Sequence, residues 1–213
     1  MASVVLGILI SGRGSNLQSI IDAIEAGKLD ARIAVVVSNK LEAFGLERAR
    51  SHGIKTVFLD PKSYKGQSNP REAYDAAVLD VLKVHDVGLV ILAGYMKIVT
   101  PMLIDAYEKR MMNIHPSLLP SFPGLAAQQQ ALDWGAKVSG CTVHFVTEGV
   151  DEGPIILQAA VPVVENDTVE TLSARILEHE HRLYPDAIQL YAEGRLKVEG
   201  RRTRITESVR REA

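Results

Sequence analysis

The chain contains little cysteine, no strong excess of either charge and no long apolar run. Cys141 is the single cysteine among 213 residues, so an intrachain disulfide is excluded and a reducing compartment is favoured. Lys and Arg number 24 against 26 Asp and Glu, and this net charge of −2 provides no general attraction to nucleic acid or to an anionic membrane. No apolar stretch reaches the length of a bilayer span, and the N-terminus lacks the basic residues of a signal peptide. We therefore expect a cytoplasmic protein that binds neither nucleic acid nor membrane.

Short apolar runs alternate with helical patterns through the first half of the chain. Residues 4–10 are apolar without alternation, which is typical of a strand buried on both faces of a parallel sheet. Residues 16–25 then carry apolar side chains at helical spacing. The alternation continues in predicted strands at 33–37, 56–59 and 88–93 and in predicted helices at 44–51 and 71–84. This order predicts an α/β fold with a doubly wound, mostly parallel sheet and right-handed crossovers.

The second half is less regular. A fifth strand is predicted at 111–114 and a short helix at 128–134. Two longer apolar segments, 140–146 and 154–163, are separated by a turn, and they predict an antiparallel C-terminal strand pair.

A long helical pattern covers residues 168–192, and Pro185 within it should kink or break the helix because proline cannot donate the backbone hydrogen bond. Residues 196–198 are short enough for an edge strand. Five Arg against two Glu follow Gly200, and we interpret residues 201–213 as a solvated, poorly ordered tail, with a phosphate or partner site as the alternative.

A glycine-rich turn lies between the first predicted strand and the first helix. Gly12 and Gly14 permit a tight turn, and Ser15 and Asn16 can either cap the helix or bind a phosphate with the backbone N–H groups at its N-terminus. Leu17 stands where a dinucleotide fingerprint needs its third glycine. The second strand is followed by Ser-Asn-Lys rather than an acid, so a dinucleotide-dependent dehydrogenase is excluded. The pattern leaves a monophosphate site and plain capping both open.

Two polar side chains close the fifth predicted strand. Asn113 and His115 are two residues apart, so both project from the same face, and Pro116 ends the strand beside a proline-rich loop. An Asn N–H can donate to a developing oxyanion, and a buried carboxylate such as Asp151 would favour a protonated imidazole. A capping Asn with a satisfied histidine is the equally open structural alternative. Sequence spacing does not show whether Asp151 reaches His115.

The other histidines have structural interpretations. His144 lies within an apolar strand, where we expect a structural role. His179 and His181 lie in the long helix at a spacing that does not share a face, so we predict no metal site.

Seven segments, in order, resemble the phosphoribosylglycinamide formyltransferase branch of the folate-dependent formyltransferase family. NIHPSLLP followed by D-x-G-P is typical of the wider family, whereas the GSN turn and the EHRLYP segment narrow the resemblance to this branch. The segments are ISGRGSNLQSII, SNKLEAFGLERA, REAYD, LAGYMKIV, NIHPSLLPSFPG, GCTVHFVTEGVDEGPIILQAAVPV and EHRLYP.

The resemblance implies a Rossmann-like formyltransferase fold and transfer of a formyl group from 10-formyltetrahydrofolate to the primary amine of glycinamide ribonucleotide in purine biosynthesis. It implies one domain over residues 1–200, with a phosphate-binding half to about residue 100 and a folate and catalytic half after it. It implies no metal and a monomer or homodimer. The implied site residues are Asn113, His115 and Asp151 for catalysis, Gly14, Ser15, Asn16 and Glu180 for the substrate phosphate and ribose, and Arg71, Met96, Lys97, Ile98, Val99, Val146 and Thr147 for the folate.

The chain departs from the family pattern in two places. Ala126 and Gln128 replace two histidines that many relatives carry after the proline-rich loop, and Lys97 replaces an arginine, which keeps the charge but loses bidentate geometry. Two alternatives to the formyltransferase remain at this stage: a hydrolase that deformylates 10-formyltetrahydrofolate, and a non-catalytic folate-binding module.

Overall fold

The computed structural model describes residues 3–207, and a nine-stranded sheet forms the centre of that part of the chain. The strands are Val4–Ile10 (β1), Ala31–Ser38 (β2), Thr56–Phe58 (β3), Leu89–Leu92 (β4), Met111–His115 (β5), Val138–Phe145 (β6), Ile155–Pro162 (β7), Leu196–Glu199 (β8) and Arg202–Ile205 (β9). The helices are Ser15–Glu25 (α1), Phe44–Ser51 (α2), Pro70–Val84 (α3), Pro101–Ala106 (α4), Ala127–Asp133 (α5) and Val169–Ala192 (α6), with a 3-10 turn at Pro61–Tyr64.

The strand order is β3-β2-β1-β4-β5-β6-β7-β9-β8. The first five strands pair in parallel, and β6 runs antiparallel to both β5 and β7. The predicted α/β class, the mostly parallel sheet and the antiparallel pair are therefore confirmed. Because β1, β4 and β5 are parallel, their carboxyl ends meet at one edge of the sheet. The chain moves outward from β1 in both directions, and open α/β sheets bind their ligands at the carboxyl edge beside such a point.

Helices cover both faces of the sheet, and β1 contributes side chains to both cores. Leu6, Ile8 and Ile10 pack in one core with α1 and α6, whereas Leu9 packs in the other with α3. All four side chains are fully buried, and each such burial contributes roughly 1.5–3 kcal/mol. This arrangement explains why β1 is a continuous apolar run rather than an alternating one.

The sequence predicted that Pro185 would kink or break the long helix, and the structure shows no break there. α6 is one helix of 24 residues with Pro185 buried inside it. The neighbouring Tyr184 is fully buried, and its hydroxyl lies 3.0 Å from the Leu92 carbonyl oxygen and 2.9 Å from that of Met112. These contacts and the surrounding core hold the helix on the sheet, so packing compensates for the hydrogen bond that proline cannot make.

The prediction of a poorly ordered tail after residue 200 is wrong for Arg202–Ile205. These residues form β9, which pairs antiparallel with β8 and touches the start of β7 at Ile155. Backbone pairing with β8 and β7 forms this strand although its arginines are exposed, so no apolar pattern marks it. Residues 208–213 of the predicted tail lie outside the described residues. Within residues 3–207 no helix combines the length and apolar character needed to cross a membrane.

Candidate active site

The two polar residues at the end of β5 face a cavity of about 680 Å³, which opens at the carboxyl edge of the sheet. Asn113 and His115 both line it, as their two-residue spacing predicts. Asp151 lines it from the turn between β6 and β7. His115 Nδ1 lies 3.3 Å from Asp151 Oδ2, and the two side chains are only 6% and 10% exposed. The structure thus brings together the three side chains whose contact the sequence spacing left open.

The turn that carries Asp151 holds its carboxylate in place. Asp151 has a φ of 56°, a left-handed conformation that costs a non-glycine residue roughly 1–2 kcal/mol. The Gly124 N–H donates to Asp151 Oδ2 at 2.8 Å, which links this turn to the proline-rich loop. Burial raises the pKa of Asp151, but the nearby imidazoles of His144 and His115 and the hydrogen bond from the Gly124 N–H lower it by more, so the pKa lies below its usual value. The carboxylate is therefore ionised at neutral pH.

His115 has oxygen acceptors at both ring nitrogens. Its Nε2 lies 2.8 Å from the Phe122 carbonyl oxygen, and its Nδ1 faces Asp151. A carbonyl oxygen can only accept, so the ring nitrogen that faces Phe122 carries a hydrogen. These two contacts hold the His115 ring between the proline-rich loop and Asp151.

His144 belongs to this cluster, although the sequence suggested only a structural role for it. It pairs with Asn113 across β5 and β6 and is 2% exposed. Its Nε2 lies 3.3 Å from Asn113 Nδ2 and 3.6 Å from Asp151 Oδ1, while its Nδ1 lies 2.9 Å from the Phe145 carbonyl oxygen. The residue touches two of the three predicted catalytic side chains. The signal that could have found it is the cross-strand register, which a single sequence does not show.

The predicted folate residues fall into two adjacent groups. Six of them line the large cavity, and Arg71 instead lines a neighbouring cavity of about 270 Å³, together with Asp75 and three residues that the two cavities share. The Lys97 ammonium lies 4.7 Å from the centre of the Tyr74 ring, a cation–π distance. The six are Met96, Lys97, Ile98, Val99, Val146 and Thr147, and the shared three are Met96, Lys97 and Ile98.

The glycine-rich turn precedes α1 as predicted, in a conformation that requires glycine. Gly14 has a φ of 70°, and a Cβ there would lie 2.6 Å from the Cα of Gly45. Ser15 and Asn16 begin α1, so their backbone N–H groups lie at the positive end of an 11-residue helix. Neither cavity at the sheet edge is lined by this turn.

Asn16 and Glu180, far apart in sequence, form a buried pair next to this turn. Asn16 Nδ2 donates to Glu180 Oε2 at 2.7 Å, and the residues are 8% and 7% exposed. Burial raises the pKa of Glu180, and the hydrogen bond from Asn16 offsets this only in part. Within the described part of the chain, Asn16 Oδ1 is buried without a hydrogen-bond partner. One of the two hydrogens of the Asn16 side-chain N–H₂ is therefore already engaged by Glu180.

Comparison with known proteins gives the family. The family model described as formyl transferase matches residues 4–188. The chain belongs to the formyl transferase family. It is 46% identical to the phosphoribosylglycinamide formyltransferase of Escherichia coli (strain K12) over 90% of this chain and 88% of that protein. A solved structure, glycinamide ribonucleotide transformylase 1 from Symbiobacterium toebii, is 56% identical with a TM-score of 0.93, covering 97% of this chain and 95% of that one.

A formyltetrahydrofolate deformylase from Pseudomonas syringae pv. tomato str. DC3000 has a similar structure but is more distant in sequence. Its TM-score is 0.86 at 30% identity, and the match covers 96% of this chain but 66% of that one. The resemblance to the formyltransferase family and the fold that it implied are both confirmed by these comparisons.

The two loop residues expected from the sequence to depart from the family pattern, Ala126 and Gln128, both line the large cavity. Ala126 has a φ of 56° and stands immediately before α5, and Gln128 lies in the first turn of that helix. Alanine and glutamine carry no titratable group at these positions. Within residues 3–207 no group of three His, Cys, Asp or Glu side chains has an arrangement that could hold a metal ion.

Proposed function

We propose that this formyl transferase moves the formyl group of 10-formyltetrahydrofolate to the primary amine of glycinamide ribonucleotide. The observation that carries the proposal is the buried contact between His115 and Asp151 beside Asn113, at the end of a largely apolar cavity. The similarity to proteins described as phosphoribosylglycinamide formyltransferases supports the same assignment. Attack of a neutral amine on a formyl carbon generates an oxyanion, and this cluster carries the donors and the charge that such an oxyanion needs.

Asn113 and His115 would stabilise the oxyanion from one side of the cavity. Asn113 Nδ2 has two hydrogens and lies 3.3 Å from His144 Nε2, so at least one hydrogen is available to the formyl oxygen. His115 would add its positive charge, and its Nδ1–H lies at a long 3.3 Å from Asp151, so a stronger acceptor can compete for that hydrogen. One such donor is typically worth about 10²–10³ in turnover.

Asp151 would serve mainly by its negative charge. Because its pKa is lowered, the carboxylate is a weak base that stays ionised at neutral pH, and it can form an ion pair with a charged imidazole. The reaction needs one proton to leave the attacking amine and one to reach the departing folate nitrogen. A water held by the Asp151 carboxylate would take the proton from the amine and give one to the folate nitrogen. The protein would then return to its starting protonation state, and no covalent intermediate would form.

The cavity fits a folate in size and character. A volume of about 680 Å³ lies within the roughly 300–1,000 Å³ range of small-molecule sites. Met96, Ile98 and Val99 offer apolar contact for the ring system. Arg71 and Lys97 border the adjoining cavity and would meet the carboxylates at the other end of the molecule.

The ribonucleotide would bind at the turn before α1. Backbone N–H groups at the helix N-terminus and the Ser15 hydroxyl would hold the phosphate, with Gly14 permitting its close approach. Since Asn16 already donates to Glu180, we assign the Asn16 side chain to positioning Glu180 and Glu180 to the ribose hydroxyls. A monomer or homodimer in the cytoplasm stays a prediction.

A deformylase is the second candidate, favoured by the structural similarity to the Pseudomonas syringae protein. The two activities differ in the acceptor, because a deformylase gives the formyl group to water. Absorbance of the folate product, followed with and without glycinamide ribonucleotide, separates them. The proposal predicts product only when the ribonucleotide is present. Equal release without it would establish the hydrolase, and folate binding without any product would establish a non-catalytic module.

A further inference from the structure

The segment Met96–Val99 lines the large cavity, and its first three residues also line the smaller one, yet two of its four side chains are largely exposed. Met96 and Ile98 are 65% and 64% exposed, so little apolar burial stabilises their positions. The segment follows β4 through Gly94, which has a φ of 72°, and ends at Thr100 before α4. Its conformation must therefore depend on hydrogen bonds from its backbone to neighbouring elements.

Ser11 provides such a bond at the start of the segment. It follows β1 directly and is 4% exposed. The Met96 N–H donates to Ser11 Oγ at 2.8 Å, and the Ser11 hydroxyl donates to Asn39 Oδ1 at 2.6 Å. The Ser11 N–H also donates to the Gly94 carbonyl oxygen at 3.1 Å. Ser11 thus joins the residues that follow β2, β1 and β4, next to the glycine-rich turn.

Asp75 provides the matching bond at the end of the segment. It lies on α3, is 2% exposed, and accepts the Thr100 N–H on Oδ2 at 2.7 Å. Burial raises the pKa of Asp75, while the hydrogen bond from Thr100 and the nearby Lys97 charge lower it in part. Burying a carboxylate costs free energy, and the backbone N–H that Asp75 accepts belongs to Thr100, the residue directly after this segment.

We infer that Ser11 and Asp75 are positioning residues that fix the two ends of Met96–Val99 and so shape the site for the folate. The inference rests on the proposed function in taking folate as the ligand of this wall. Ser11 lines neither cavity, so it can act on the folate only through the segment that it holds, whereas Asp75 also lines the smaller cavity. Because an N–H that loses its buried acceptor costs about 1–3 kcal/mol, each loss should weaken folate binding about 5- to 150-fold.

The test compares Ser11→Ala and Asp75→Ala with the wild type in steady-state kinetics and in calorimetric titration with tetrahydrofolate. We expect the KM for 10-formyltetrahydrofolate and the Kd for tetrahydrofolate to rise about tenfold or more in each variant. The kcat and the KM for glycinamide ribonucleotide should stay within about twofold of the wild type. This separation of KM from kcat is what a general loss of structure would not produce.

Two matched variants complete the design. Asp75→Asn keeps an oxygen that accepts the Thr100 N–H, and Asn39→Ala leaves Ser11 Oγ able to accept the Met96 N–H. Both should keep the folate KM within about threefold of the wild type. The Ser11 comparison stands alone if Asp75→Ala does not fold, since Ser11→Ala removes a single oxygen.

An unchanged folate KM and Kd in Ser11→Ala would overturn the inference, as would an equal rise in the KM of both substrates. Failure of the proposed function gives a different result, because the wild type itself would then show no ribonucleotide-dependent product. The calorimetric titration still tests the two positioning residues in that case.

Discussion

His115 Nδ1 lies 3.3 Å from Asp151 Oδ2 in surroundings where only 6% and 10% of the two side chains are exposed. Opposite charges that are shielded from water interact far more strongly than at the surface. Removing one partner therefore leaves the other as an uncompensated buried charge. The pair joins the end of β5 to the turn after β6, so its loss should affect both the charge and the shape of the site.

Asp151→Asn should lower kcat by about 10²–10³, since an amide cannot sustain the charged imidazole that stabilises the oxyanion. Calorimetric titration with tetrahydrofolate should give a Kd close to that of the wild type, because the change affects the reacting end of the cavity. Turnover near that of the wild type would remove Asp151 from the mechanism.

Acid stability gives a second test of the same carboxylate. The folded-state pKa of Asp151 lies below the usual 3.8, so its contribution to stability is present above that value and is lost as the pH falls through the folded-state pKa. The free energy of unfolding of the wild type and of Asp151→Asn should differ at neutral pH and converge below about pH 3.8. Urea unfolding at a series of pH values measures this, and a difference that stays constant into that acidic range would refute the assignment.

Glu180→Gln should show the opposite pH dependence. Burial raises the pKa of Glu180, so this residue favours folding below its unfolded-state pKa and loses that contribution as the pH rises through the folded-state value. The variant should therefore gain stability relative to the wild type as the pH rises through this interval, as measured by melting temperature. Its KM for the ribonucleotide should rise, because the amide replaces the carboxylate assigned to the ribose. A variant that is destabilised at high pH, with an unchanged KM, would argue against both roles.

Gly14→Ala should destabilise the protein and weaken ribonucleotide binding. The φ of 70° costs a non-glycine residue roughly 1–2 kcal/mol, and the added Cβ would lie 2.6 Å from the Gly45 backbone. Gly27→Ala is the matched control, since Gly27 has a φ of 66° but open space around its missing Cβ. Only Gly14→Ala should raise the KM for glycinamide ribonucleotide, and an equal effect of both variants would show that strain alone is responsible.

His144→Ala should lower kcat about tenfold through Asn113, whose side-chain amide would lose the His144 imidazole that lies 3.3 Å from its Nδ2 and orients it. When His144→Ala is added to Asn113→Ala, the further loss of kcat should be much smaller, because the Asn113 amide through which His144 acts is already absent. Additive losses in the double variant would assign His144 a separate role.

The first half of the sheet could be predicted from the sequence because strands buried on both faces form distinctive apolar runs. The shared face of Asn113 and His115 followed from the period of a strand alone. Their contact with Asp151 and His144 could not be predicted, since it depends on the register between β5 and β6 and on the path of a turn. The six-residue α4 was missed because its pattern is too short to show a period, and β9 because its side chains are charged and exposed.

The destination of the transferred carbon distinguishes formyl transfer from hydrolysis in a single measurement. The wild type would be supplied with 10-formyltetrahydrofolate labelled with ¹³C in the formyl group and with glycinamide ribonucleotide, and the products would be followed by NMR. We expect the label to appear as a formamide on the ribonucleotide amine, in amounts equal to the tetrahydrofolate released. Label recovered as formate, or a formyl signal that does not change, would contradict the proposed transfer.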